Sequence, residues 1–245
     1  MKKAIIDTQT VKLYSQFGVD PFYQCAFEKT LCESSEPFIS IFTTTECVMA
    51  GRDITYANHY VENNKLNVPF VRYMGTGGPV YINSEFIKIT GLLPKNSFTP
   101  NTACRLVADI YTRLGIKTDY VEGTNDIKIQ GKKVSGVSYS TQLGDNDFFA
   151  FFFSLSNDYK RAAQVMKLTK HTTVLSERAA GIHETHPSIT KEQIIEAVKL
   201  ELQSRGFNLK DVDVNTNKTL LTRVEENESE IFRNQSFIKY GILEK

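Results

Sequence analysis

Residues 125–136 read Asn-Asp-Ile-Lys-Ile-Gln-Gly-Lys-Lys-Val-Ser-Gly, and no other stretch constrains the chain more. Ile127, Ile129 and Val134 are apolar, polar residues alternate between them, and Gln130-Gly131 falls where a tight turn belongs. The pattern predicts a β-hairpin. Its second strand opens on Lys132 and Lys133. Neighbouring side chains on a strand point to opposite faces, so only one of these lysines faces inward. A strand lysine close to Asp126 suits a fixed point charge that holds a phosphate or a carboxylate. From this pattern alone, a surface hairpin with two solvated lysines is the plainer alternative.

Composition removes several classes of function. Across 245 residues, 29 Lys and Arg balance 28 Asp and Glu. Near-zero net charge argues against a basic nucleic-acid groove or a membrane-surface patch. The length allows one large domain with a substantial core. Cys25, Cys32, Cys47 and Cys104 form no C-x-x-C pair and have no His at metal-ligand spacing. Together with an N-terminus lacking a signal-like apolar run, they predict a cytoplasmic protein with reduced cysteines.

Taken in order, residues 4 to 17 predict one or two short strands. Asp20-Pro21 opens a helix, with Asp as N-cap and Pro at the first helical position. Phe38 to Phe42 and Cys47 to Gly51 predict consecutive strands, and the polar stretch Tyr56 to Lys65 a short helix. Val68 to Met74 predicts a strand that runs into Gly75-Thr76-Gly77-Gly78-Pro79 and then Val80-Tyr81-Ile82. A glycine-rich loop between strands lets backbone N–H groups approach anionic oxygens, though an ordinary hairpin connection has the same composition. It lacks the Gly-Lys-Ser/Thr of a phosphate-binding P-loop, and strand rather than helix follows it. Thr99-Pro100 starts a second helix with an apolar stripe at Leu106, Val107, Ile110 and Leu114, stopped by Gly115. Phe148 to Leu155 lacks alternation and predicts a central strand buried on both faces. Asp158 to Leu168 predicts a short helix, and Thr190 to Gln193 is a capping box opening another. The tail alternates through Leu220 to Val224. The charged run Arg223 to Glu230 suits a solvated edge or loop. His183 and His186 flank Glu184 in a polar loop, where solvation is favoured over a metal site. The fold class is α+β, a mainly antiparallel sheet with helices packed on it.

In this order the segments resemble the lipoate–protein ligase A family, within the lipoate/biotin ligase superfamily. Asp20-Pro-Phe-Tyr-Gln-Cys-Ala-Phe-Glu-Lys-Thr-Leu31 is similar to its opening helix. Val71-Arg-Tyr-Met-Gly-Thr-Gly-Gly-Pro-Val-Tyr81 is similar to its R-R-x-S-G-G-G-A-V-Y loop. Asn125-Asp126 with Gly131-Lys-Lys-Val-Ser-Gly136 resembles its N-D-L-x-V-x-G-x-K-I-S-G signature. Asp158 to Lys167, Ser176 to Arg178 and the capped helix at Thr190 follow as they do in the family. The likeness spans residues 10 to 243. It implies a class II synthetase/biotin-ligase-like catalytic domain over residues 1–245, with no C-terminal accessory domain.

The resemblance also implies chemistry. The family activates lipoate with Mg-ATP to lipoyl-adenylate, then transfers the lipoyl group to a lysine of an apo carrier domain. That carrier is of the 2-oxoacid dehydrogenase E2 or glycine cleavage H protein type. By motif the catalytic lysine falls on Lys133, and the acidic residue near Mg2+ on Asp126. Substrate positions fall on Arg72, Tyr73, Gly77, Gly78, Pro79, Val80, Tyr81, Asn125 and Lys133. Lys132 sits at a variable position. The sequence departs from the family in several places. Tyr73 replaces the second arginine of the R-R pair. Gly75-Thr76 replaces Ser-Gly. Ile82 to Phe86 replaces H-D-x-G-N, and Ala150-Phe151-Phe152 replaces H-G-T. The 52–57 segment is shorter and lacks N-x-x-x-E. These changes open a second reading, a non-catalytic homologue that binds acyl groups or carriers. A lipoyl or octanoyl transferase working through a thioester is a third. It needs an activated cysteine after the lysine motif, and the chain has none beyond Cys104.

Overall fold

The computed structural model describes residues 9–62, 65–120, 123–143, 146–167 and 175–241. Eleven strands are present among them. They are β1 Gln9–Val19, β2 Phe38–Thr44, β3 Cys47–Gly51, β4 Phe70–Tyr73, β5 Val80–Ile82, β6 Phe86–Pro94, β7 Asp119–Tyr120, β8 Asp126–Ile129, β9 Lys132–Leu143, β10 Asn146–Ser154 and β11 Phe207–Asp211. The α-helices are α1 Pro21–Ser34, α2 Tyr56–His59, α3 Pro100–Arg113, α4 Tyr159–Val165, α5 Leu175–Arg178, α6 Lys191–Ser204, α7 Lys218–Asn227 and α8 Gln235–Tyr240.

Eight strands form one sheet in the order β11-β1-β2-β6-β10-β9-β8-β7, and β4-β3-β5 form a smaller one. The large sheet is antiparallel except where β1 meets β11 and β2. The fold is therefore α+β, as the sequence predicts. The sheet divides two cores. Phe149, Phe151 and Phe153 pack with α3 and α6 on one face, while Phe148 and Ala150 pack with α1 and the small sheet on the other. This explains why Phe148 to Leu155 shows no polar alternation: β10 is central and both its faces are dry.

Local signals place the helix starts. The Asp20 side chain accepts from the Phe22 and Tyr23 N–H groups, Thr99 and Thr190 close capping boxes, and Pro follows the first two caps. Such caps each contribute about 1 kcal/mol.

Residues 86–94, which the sequence pattern leaves unassigned, form β6 at the centre of the sheet. Its alternating Lys88 and Thr90 look solvent-facing, yet they enter the α1 core. There Lys88 pairs with Glu28 at 2.5 Å, both side chains 3% exposed, and Thr90 donates to Glu28 at 2.6 Å. A partner sixty residues away supplies what makes that burial tolerable. The alternation at Leu220 to Val224 is not a strand. It lies in α7, capped by the Asn217 side chain. The charged run Arg223 to Glu230 continues that helix into a π-helical turn, Glu228–Phe232, not an edge or loop. Asn227 within it is buried and donates to Thr30 Oγ1 at 2.9 Å. The first eight residues, and His171, lie outside the described residues.

Candidate active site

The hairpin forms as predicted. Gln130 (φ 51°) and Gly131 (φ 79°) both take left-handed backbone, the requirement of a type I′ two-residue turn. The strand that follows then carries a bulge. Lys133 pairs with Lys128 and Ser135 with Ile127, so Val134 is the extra residue. A bulge resets the alternation of faces. Val134 and Ser135 are consecutively buried, and Lys133 comes to the same face as Gly136. A Cβ on Gly136 would stand 2.9 Å from Lys133 Nζ. Directly opposite Gly136 is Asp126, whose Oδ1 lies 2.6 Å from that ammonium. Both side chains remain about two-fifths exposed, at 45% and 39%. An ion pair so exposed contributes only ~0–1 kcal/mol to stability, so fold maintenance is a poor reason for it.

Neither lysine of the pair is buried, which corrects the expectation of an inward lysine. They do point apart. Lys132 reaches Glu184 at 3.5 Å on the other side of the strand. The Lys133 backbone is fixed, since its carbonyl accepts from the Ala180 N–H at 2.9 Å. Asn125 closes the group, its carbonyl accepting from the Val137 N–H at 2.9 Å.

The glycine loop reaches the same strand. Ser138, two residues beyond Gly136, donates to Thr76 O at 3.0 Å. Tyr73 OH donates to that same carbonyl. The Arg52 and Gly51 N–H groups donate to Gly75 O at 3.1 Å and Gly77 O at 3.0 Å. The loop carbonyls are thus held by protein, whereas among the described residues no protein acceptor takes the N–H groups of Gly77 and Gly78. Both residues are exposed, and a Cβ on Gly78 would meet nothing. Free, adjacent N–H groups on a pinned loop are available to anionic oxygens. Gly75 itself is sterically required, since a Cβ there would lie 2.5 Å from the Tyr73 ring. An open groove of about 680 Å³ adjoins this loop, lined in part by Met74, Thr76, Phe98, Tyr139 and Phe148.

Other expected site residues have partners within the fold. Arg72 is 1% exposed. Its guanidinium donates to the carbonyls of Ile238 (2.8 Å), Lys239 (3.0 Å), Gly51 (3.1 Å) and Arg52 (3.1 Å). All of its guanidinium nitrogens are thus engaged by backbone. Tyr81 OH donates to Glu46, which also pairs with Arg161 Nη2 at 2.7 Å, tying β5 to α4. Tyr73 is buried under the loop, with the Lys88 ammonium 5.1 Å from its ring centroid. Burial raises its phenol pKa. Ser138 was not singled out from sequence, although its place on the Lys133 face two residues past Gly136 is a signal for it.

Among the described residues no three His, Cys, Asp or Glu side chains gather as a metal cluster. His183 Nε2 instead meets Ile189 O at 2.8 Å. The thiols offer no activated nucleophile. Burial raises the pKa of all four, Cys25 and Cys32 to about 12. No helix among the described residues is long and apolar enough to cross a membrane.

A family model described as the lipoyl protein ligase A/B catalytic domain matches residues 20–203. Several solved structures share the fold. A bi-partite lipoate protein ligase from Thermoplasma acidophilum, described with its E2 lipoyl domain, has a TM-score of 0.81 at 12% identity, covering 97% of this chain and 99% of that one. A putative lipoate protein ligase from T. acidophilum with bound lipoic acid gives 0.80 at 11% identity over 95% and 100%. P. falciparum LipL1 in complex with lipoate gives 0.75 at 15% identity over 96% and 75%.

Proposed function

Because the chain belongs to the lipoyl protein ligase A/B catalytic domain family, we propose that it is a lipoate–protein ligase. In this reading it activates lipoate to lipoyl-adenylate with Mg-ATP and passes the lipoyl group to a lysine of an apo carrier domain. The observation that carries the reading is the Lys133–Asp126 pair on one open strand face, with Gly136 leaving room for the ammonium. A carboxylate approaching an α-phosphate faces like-charge repulsion, and a positioned cation lowers that barrier. Lys133 is the cation proposed for this step, held by a rigid hairpin rather than a loop. The N–H groups of Gly77 and Gly78 would hold phosphate oxygens. The backbone of Pro79 and Val80, with Asn125, would line the nucleotide and acyl site.

Mg2+ takes one or two carboxylates together with substrate phosphates rather than an all-protein cage. The single carboxylate of Asp126 fits that donor set, and the ion would neutralise phosphate charge there. Binding of ATP and lipoate finds support in a lipoate-protein ligase A of this fold that is known bound with ATP and in the lipoic acid complex above. The carrier would be an E2 or H-protein type lipoyl domain, in line with the bi-partite ligase and its E2 lipoyl domain. Lipoate-dependent exchange of labelled pyrophosphate into ATP tests the first half-reaction. It should occur with this protein and vanish in Lys133→Ala.

A second reading has its own observation. Arg72 is occupied by backbone carbonyls and Tyr73 stands where the family's second arginine is expected, so the substrate face holds fewer cations. A homologue that binds the acyl group or its carrier without adenylation would show lipoate binding and no pyrophosphate exchange. The thioester transferase is not put forward, because burial raises the pKa of all four thiols and no cysteine follows Cys104.

A further inference from the structure

The last carbonyls of a helix have no intrahelical partner and carry partial negative charge. At the end of α8 the carbonyls of Ile238 and Lys239 receive two arms of the Arg72 guanidinium, at 2.8 and 3.0 Å. The third arm, Nη1, donates to the carbonyls of Gly51 and Arg52, both at 3.1 Å. The same two residues give their N–H groups to the glycine loop, Gly51 to Gly77 O and Arg52 to Gly75 O. Gly241 then packs against this segment in left-handed backbone (φ +73°), where a Cβ would lie 2.3 Å from Arg52 O. One short backbone segment is thus gripped by the C-terminal helix through its carbonyls and by the ligand loop through its N–H groups.

We propose that Arg72 is a positioning residue that couples the seating of α8 to the geometry of the glycine loop through residues 51 and 52. The planar fork suits this role. It satisfies four carbonyls from two distant parts of the chain at fixed angles, which a lysine ammonium on a flexible stem does not. Displacing α8 removes the anchor on the carbonyl side of 51–52. The N–H groups that pin Gly75 and Gly77 then lose their fixed position. The coupling does not depend on the reaction; only its effect on substrate affinity rests on the ligase reading.

Amide hydrogen exchange on the full chain tests it. Arg72→Met and Gly241→Val strike the coupling from its middle and from its α8 end. Each should speed exchange of the Gly51 and Arg52 amides on the order of tenfold, with β10 amides unchanged. Arg72→Lys should fall between Arg72→Met and the parent. Under the ligase reading, Arg72→Met raises the KM for ATP while kcat holds. Faster exchange with no turnover in any protein, the parent included, supports the coupling and fails the ligase reading. Should Arg72→Met accelerate β10 as well, it reports global opening and Gly241→Val alone decides. Parent-like protection of Gly51 and Arg52 in Gly241→Val, with α8 amides exchanging faster, overturns the proposal.

Discussion

The Lys133 ammonium crosses Gly136 so closely that a Cβ on that glycine would stand 2.9 Å from it. The glycine leaves open the position the ammonium occupies beside Asp126. In Gly136→Ala the flexible end of Lys133 gives way before the backbone does. Under the proposed ligase function, the expected result is a loss of lipoate-dependent pyrophosphate exchange of roughly tenfold or more, as for a displaced catalytic group. The melting temperature should stay within a few degrees of the parent's. Full activity in Gly136→Ala would contradict this placement.

Asp126→Asn keeps the shape and removes the charge. Because the pair is exposed, stability should change by at most about 1 kcal/mol. Under the proposed ligase function, activity should fall, with the remainder requiring more Mg2+. A magnesium titration of exchange rate, parent against variant, checks this. An unshifted magnesium midpoint would remove Asp126 from the proposed metal site.

The Glu28–Lys88 pair behaves oppositely. Both side chains are 3% exposed, and Gln24 and Thr90 also donate to the carboxylate. Breaking one side leaves an uncompensated buried charge, so Glu28→Gln should cost about 3–5 kcal/mol in urea unfolding. The double variant Glu28→Leu with Lys88→Met should recover most of that loss. Additive losses would contradict the coupling.

Acid should unfold the chain through a few carboxylates. Burial pushes Glu201 up, but hydrogen bonds from Arg113 and Arg205 outweigh it and leave the pKa below the ordinary 4.5. The same balance, with Arg161 and Tyr81, holds Glu46 down. A carboxyl lowered on folding stabilises the native state above its unfolded pKa, and that contribution is lost as pH falls through the folded value. Stability in urea should therefore be flat near neutrality and decline below about 4.5. Arg113→Met should shrink that decline. An unchanged acid limb would show that the contact does not govern it.

Much of the architecture was legible because it is local. Asp20, Thr99 and Thr190 announce helices through bonds to N–H groups two or three residues away. Gln130-Gly131 announces its turn through backbone that favours glycine. The unreadable parts depend on distant partners. Lys88 makes sense in a core strand only once Glu28 is placed beside it. The bulge at Val134, which decides which face Lys133 shares, is a register event between two strands. Arg72 reads as a ligand residue because it sits next to a glycine loop. Two of the carbonyls it meets, those of Ile238 and Lys239, are more than 160 residues further on and are invisible in the local pattern.

The most direct test is the intact mass of an apo lipoyl domain after incubation with this protein, lipoate and Mg-ATP, with Lys133→Ala alongside. The ligase account predicts a gain of one lipoyl group that requires both ATP and Lys133. No gain, with the protein folded and a known ligase active under the same conditions, would contradict it.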